Sequence, residues 1–102
     1  MKIKMYLLAA FIVGLLACEL VAQEFNSDSA AYAFAKREAQ IQADRERVGH
    51  FLGIAPGCRF AGVGSSNSVA RPNHCTTNRY RLVARAFAIG RSGKVYWSTQ
   101  YR

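Results

Sequence analysis

The stretch RYRLVARAFAIGRSGKVYWSTQYR, residues 79–102, decides the fold. Its side chains alternate in character with a period of two, the periodicity of a strand, and the alternation is interrupted once by Gly90-Arg91-Ser92-Gly93. A β-hairpin is expected, with strands near Tyr80–Ile89 and Lys94–Tyr101 and those four residues as the turn. Alternation places Leu82, Ala84, Ala86 and Ala88 on one face of the first strand and Val95, Trp97, Thr99 and Tyr101 on one face of the second. A four-residue turn sets these two groups against each other, small opposite large, as the core beneath a helix. The other face then carries Arg79, Arg81, Val83, Arg85 and Phe87, then Lys94, Tyr96, Ser98, Gln100 and Arg102, with cations interleaved with aromatics.

Upstream, residues 30–48 read as a helix. They are rich in alanine and in Lys36, Arg37, Glu38, Gln40, Gln42, Arg45 and Glu46, all good helix formers. Ser27, Asp28 or Ser29 suits the N-cap and Gly49 the C-terminal cap. Ala30, Phe34, Ile41 and Val48 mark a narrow apolar stripe for packing on the domain. Residues 23–29 are polar and read as a flexible lead-in. Residues 49–78 are punctuated by Gly53, Pro56, Gly57, Gly62, Gly64 and Pro72 and read as loops, with one short strand near Arg59–Ser65. Gly62 and Gly64 lack the third glycine of a dinucleotide fingerprint and the Lys-Ser/Thr of a phosphate loop.

Residues 1–22 have the three parts of an export signal. Lys2 and Lys4 supply the positive start, and Met5 to Ala17 form an uncharged apolar run of about 13 residues, short of the roughly 20 that span a bilayer. Simple secretion with cleavage after Ala22 is the preferred route. The alternative is a lipobox-like Leu15-Leu16-Ala17-Cys18, in which Cys18 would carry a lipid. Beyond the lead-in, residues 30–102 are expected to form one small α+β domain: an N-terminal helix packed on a small antiparallel sheet that ends in the C-terminal hairpin. Cys58 and Cys75 remain. In an oxidising compartment they are expected to form a single disulfide worth about 3 kcal/mol.

Charge is segregated along the chain, whose formal net charge is +8. No Asp or Glu comes after Glu46, whereas Arg59, Arg71, Arg79, Arg81, Arg85, Arg91, Lys94 and Arg102 do. Such asymmetry attracts polyanions or anionic membrane. The expected site is therefore Arg79, Arg81, Arg85, Lys94, Tyr96 and Arg102, whose guanidinium forks match phosphate and carboxylate. The leading function is a non-enzymatic exported module engaging an anionic polymer, the cell envelope or a membrane surface, without cofactor. No nucleic-acid-binding motif is present to favour nucleic acid. A structural or interaction protein of the envelope, with incidental charge, is the second reading, and a small secreted hydrolase using His50 and His74 is the third. A zinc site of His50, Cys58, His74 and Cys75 has suitable residue types and unsuitable spacing, so no metal is expected.

His50 with Gly53, Pro56-Gly57, Arg59-Phe60, Gly62-Val63-Gly64-Ser65, Pro72, Cys75, Val83-Ala84-Arg85, Gly93-Lys94 and Tyr96-Trp97 together resemble a group of small exported bacterial proteins found mainly in planctomycetes. The resemblance covers about residues 48–102. It implies export and a shared compact fold and carries no catalytic motif. Thr76-Thr77 after Cys75 departs from the small or cysteine residues of that group.

Overall fold

A computed structural model describes residues 24–102; the expected export signal, Cys18 and the cleavage point after Ala22 lie outside the described residues. The fold is α+β. Strand β1 (Phe25–Asn26) is followed by helix α1 (Ser29–Arg45), then β2 (Phe60–Ser66), β3 (Leu82–Ile89) and β4 (Val95–Tyr101). The strands form one antiparallel sheet in the order β1-β3-β4-β2. Strand β4 is thus central, and all of it is buried.

Helix α1 starts and stops by different devices. Asp28, in extended conformation, accepts a hydrogen bond from the Ala31 N–H (3.1 Å), which is N-capping. The residues expected as a lead-in supply this cap and also the edge strand β1, paired at Phe25↔Arg85 and Asn26↔Ala84. The helix stops short of Gly49, at Glu46, which takes the left-handed conformation (φ 50°). Few side chains adopt that conformation without compensation. Here the Glu46 carboxylate accepts from the Ser92 N–H (2.9 Å), the Ser92 hydroxyl (2.8 Å) and the Tyr96 hydroxyl (3.0 Å), tying the helix end to the hairpin turn.

The buried helix face differs from the expected stripe. Ala31, Ala35, Ala39 and Ala43 face the sheet with Glu38 and Gln42, whereas Ala30 and Val48 are exposed and Phe34 and Ile41 half-buried. Ala31 and Ala35 pack on Val83, Ala84 and Ala86; Ala39 and Ala43 pack on Ala88 and Tyr96. A methyl-on-methyl seam lets helix and sheet approach closely, so the larger apolar side chains are displaced to its margins.

The hairpin also corrects an expectation. The Gly90 N–H donates to Lys94 O (2.8 Å) and the Gly93 N–H to Gly90 O (3.0 Å), so the loop is Arg91-Ser92-Gly93. Gly93 closes it at φ +89°, in the manner of a three-residue hairpin with a glycine bulge. Three loop residues in place of four reverse the parity of the ladder. Ala88 faces Tyr96, Ala86 faces Ser98 and Ala84 faces Gln100, while Phe87 faces Trp97 and Arg85 faces Thr99. The helix therefore covers Tyr96, Ser98 and Gln100. Val95, Trp97 and Thr99, expected beneath it, lie on the opposite face.

That opposite face is closed by the chain itself. Gly62 and Gly64 stand across from Thr99 and Trp97, and a β-carbon on either would come within 2.1 Å of the Cys75 or Asn73 carbonyl oxygen. The segment around Asn73–Cys75 lies directly on these glycines. The Asn73 amide donates to Ser65 O (2.8 Å) and the Cys75 N–H to Val63 O (3.4 Å), so the same segment covers part of the β2 edge. Trp97, completely buried, donates from Nε1 to the Ser66 hydroxyl (2.9 Å). At the β3 edge, Glu24 accepts from the Phe87 N–H (3.1 Å) and Lys36 donates to Phe87 O (2.6 Å).

The expected Cys58–Cys75 disulfide is absent; both thiols are free. The reason is topological. Cys58 packs against the Ala31, Ala35 and Ala84 cluster on the helix side, whereas Cys75 lies over Gly62 on the far side, with the sheet between them. A disulfide requires α-carbons within about 7 Å.

Two measurements test this packing. Ala35→Leu should overfill the seam and destabilise the domain by about 1–3 kcal/mol, read as a lowered Tm in thermal unfolding. The hydrogen bonds from Ser92 hold the Glu46 carboxyl below its usual range. A depressed folded value contributes stability that is present above the unfolded value and lost as pH falls through the folded one. The Tm difference between the wild-type protein and Glu46→Gln should therefore shrink as pH is lowered from neutrality through the carboxylate range.

Candidate anion-binding surface

The last residues of the sheet fix a cluster of arginines. Arg81 and Arg102 exchange backbone hydrogen bonds (2.8 Å each), extending the β3–β4 ladder by one pair, and the Arg59 N–H donates to Tyr101 O (2.8 Å). Phe60 packs edge-on against Tyr101 with ring centroids 5.4 Å apart, securing this end of β2. Tyr80 then serves as a platform: the Arg59 guanidinium carbon lies 5.8 Å and that of Arg79 5.7 Å from its ring centroid. A guanidinium held over an aromatic ring keeps its edge donors available for a bidentate oxyanion. Arg59, Arg79 and Arg81 are exposed.

Their charge is not cancelled by neighbouring acids. Glu24 pairs with Lys36 (3.2 Å) and Asp28 with Arg102 (2.8 Å). Glu38 accepts from the Phe51 and Leu52 N–H groups (2.7 Å each), Asp44 from Gln40 (2.9 Å), and Glu46 from Ser92 and Tyr96. Among the described residues, no carboxylate lies within ion-pair distance of Arg59, Arg79 or Arg81.

The six residues expected to share one surface are dispersed. Arg79, Arg81 and Arg102 converge at the sheet end, with Arg102 bound to Asp28. Arg85 is half-buried on the face away from the helix and contributes to keeping the nearby His74 imidazole below its ordinary value, an effect due first to burial. Lys94 is exposed at the opposite, turn end. Tyr96 is only 2% exposed, and its hydroxyl, raised first by burial and then by the Glu46 carboxylate it bonds, belongs to the core. The reversed ladder parity carries Tyr96 to the helix side, the length of the hairpin separates Lys94 from the sheet end, and Arg85 keeps its expected face. Arg59 and Tyr80 complete the cluster and lie outside the expected set. The Arg59-Phe60 and Arg79-Tyr80 pairs each put a cation beside an aromatic, but their convergence requires β2 to lie next to β4.

A second guanidinium–aromatic arrangement lies at the other end of the helix. The Arg45 and Arg47 guanidinium carbons lie 4.6 and 5.3 Å from the Phe51 ring centroid. His50 sits in the loop that Glu38 and Gln42 anchor on the helix side, and His74 lies against the opposite sheet face, so the two histidines do not converge. Among the described residues, no group of three or more His, Cys, Asp or Glu is arranged to hold a metal ion. No protein-family model, curated protein or solved structure matches the chain.

The two thiols should be chemically distinct. Burial raises the Cys58 thiol above its ordinary value, against the opposing pull of Arg102, whereas Cys75 is exposed. A thiol-reactive disulfide reagent should modify Cys75 rapidly and Cys58 only slowly in the folded protein, with both reacting rapidly after denaturation.

Proposed function

We propose that the protein is an exported, non-enzymatic module that engages an anionic surface or polymer through the arginine cluster at the end of its sheet. The observation carrying this reading is the set of exposed arginines, Arg59, Arg79 and Arg81, fixed by backbone bonds and by Tyr80 with no carboxylate in ion-pair range among the described residues. Fixed forks lose less conformational freedom on meeting an oxyanion than free surface lysines do. The absence of acidic residues after Glu46 extends the positive field over the rest of the domain. Export is supported by the three-part pattern of residues 1–22.

The domain should be retained on a heparin column and released by salt, because exposed charge pairs are screened over about 8 Å at physiological ionic strength. Arg59→Ala and Arg79→Ala should each reduce the slope of log affinity against log salt by about one. Retention of the double variant at the wild-type salt concentration would count against the assignment.

A further inference from the structure

The loop joining α1 to β2 has properties that the sheet-end cluster does not explain. It runs as a strap from the end of the helix to the start of β2. Buried polar side chains hold it in sequence. Gln42 accepts from the Gly49 N–H (3.3 Å) and donates to Trp97 O (3.0 Å). Glu38, 1% exposed, accepts from the Phe51 and Leu52 N–H groups (2.7 Å each). Gln100, fully buried, accepts from the Ala55 N–H (2.8 Å) and donates to Gly53 O (3.2 Å). The strap is therefore fixed from its inner side by three side chains that already have their partners.

Its outer side is apolar and cationic at once. Val48 is 41% and Ile54 51% exposed, and His50 is exposed between them. At one end stand Arg45 and Arg47 over Phe51; at the other stands Arg59 beside Tyr80. Of the acids here, Glu46 within the strap is turned to Ser92 and Tyr96, and Asp44 just before it accepts from Gln40 on the helix. A polymer would use the cations and gain nothing from the two aliphatic side chains. A bilayer rich in anionic lipid uses both: the guanidinium groups meet phosphate, and the aliphatic side chains enter the boundary between headgroups and acyl chains. The rigid backing lets this occur without ordering a disordered segment. No helix among the described residues is long and apolar enough to cross a membrane.

We propose that residues 45–59 form a membrane-docking strap that binds the surface of anionic bilayers, with Val48 and Ile54 inserted and Arg45, Arg47 and Arg59 paired to lipid phosphates. This rests on the anionic-ligand reading above and assigns it a lipid surface.

The test uses vesicles of phosphatidylcholine alone or mixed with phosphatidylglycerol, with heparin as a polymer control. The domain should sediment with the mixed vesicles and not with phosphatidylcholine alone. Val48→Ser with Ile54→Ser should weaken vesicle binding by about tenfold, in line with two lost aliphatic insertions, and leave heparin retention unchanged. Arg45→Ala with Arg47→Ala should weaken vesicle binding. Because Trp97 is completely buried, Ile54→Trp adds a reporter over a fixed background, and its emission should shift to the blue when the mixed vesicles are added. This variant keeps the strap apolar and tests the contact even if the serine pair unfolds. Heparin binding without vesicle binding, or an unshifted Ile54→Trp emission, would overturn the membrane assignment and leave the anionic-polymer reading standing. Failure to bind either ligand would overturn both.

Discussion

The contact between the alanines of α1 and those of β3 is the constraint on which the structure depends. Four alanines at 31, 35, 39 and 43 meet alanines 84, 86 and 88 across a narrow seam that continues to Val83 and Tyr96. Small side chains contribute little apolar area each, and in a domain of this size the core is marginal. They contribute proximity instead. At close range Gln42 reaches the Trp97 carbonyl and Glu38 reaches the strap backbone. The buried polar groups thus anchor connections that a wider, more oily core would leave loose. Ser98 Oγ, on the same face, is the buried side-chain polar atom without a partner among the described residues.

The seam also explains why the domain can do without a cross-link. A small chain with an export-like start and two cysteines invites a disulfide, an expectation that rests on size and compartment. The polar anchors of Glu38, Gln42 and Gln100 and the strut from Glu46 restrain the loop before β2 and the hairpin turn, while Asn73 and Cys75 are bonded to β2, so the long connections are held without a cross-link. The two cysteines are left on opposite sides of the sheet, in different chemical surroundings.

The elements are largely legible in the sequence, and their facing is not. The helix, the β2 strand near Phe60–Ser66 and the hairpin arise from local propensity and period, which residues 29–45 and 82–101 display directly. Which side of each element is buried depends on longer-range facts. Phe34 and Ile41 resemble a core stripe because they are large, but a seam built for close approach selects Ala35 and Ala39. The orientation of Trp97 turns on whether the hairpin loop holds three residues or four, a question that Gly93 settles by its positive φ. β1 is two residues long and has no periodicity to detect. The candidate site shares this fate. Arg79, Arg81 and Arg102 are visible as cations, but their meeting with Arg59 and Tyr80 depends on β2 pairing with β4, and the removal of Tyr96 from that surface on the loop length.

The position of β4 has a further consequence, for the order in which the molecule can come into being. The strand that lies between β3 and β2 is also the last of the four to be synthesised. Without it β2 has no neighbour in the sheet, Gln42 no carbonyl at Trp97 and Gln100 no place from which to hold the strap. A nascent chain therefore cannot assemble this sheet until Tyr101 has cleared the ribosome tunnel. Until then the residues of β2 and of the strap lack the partners that fix their place in the fold.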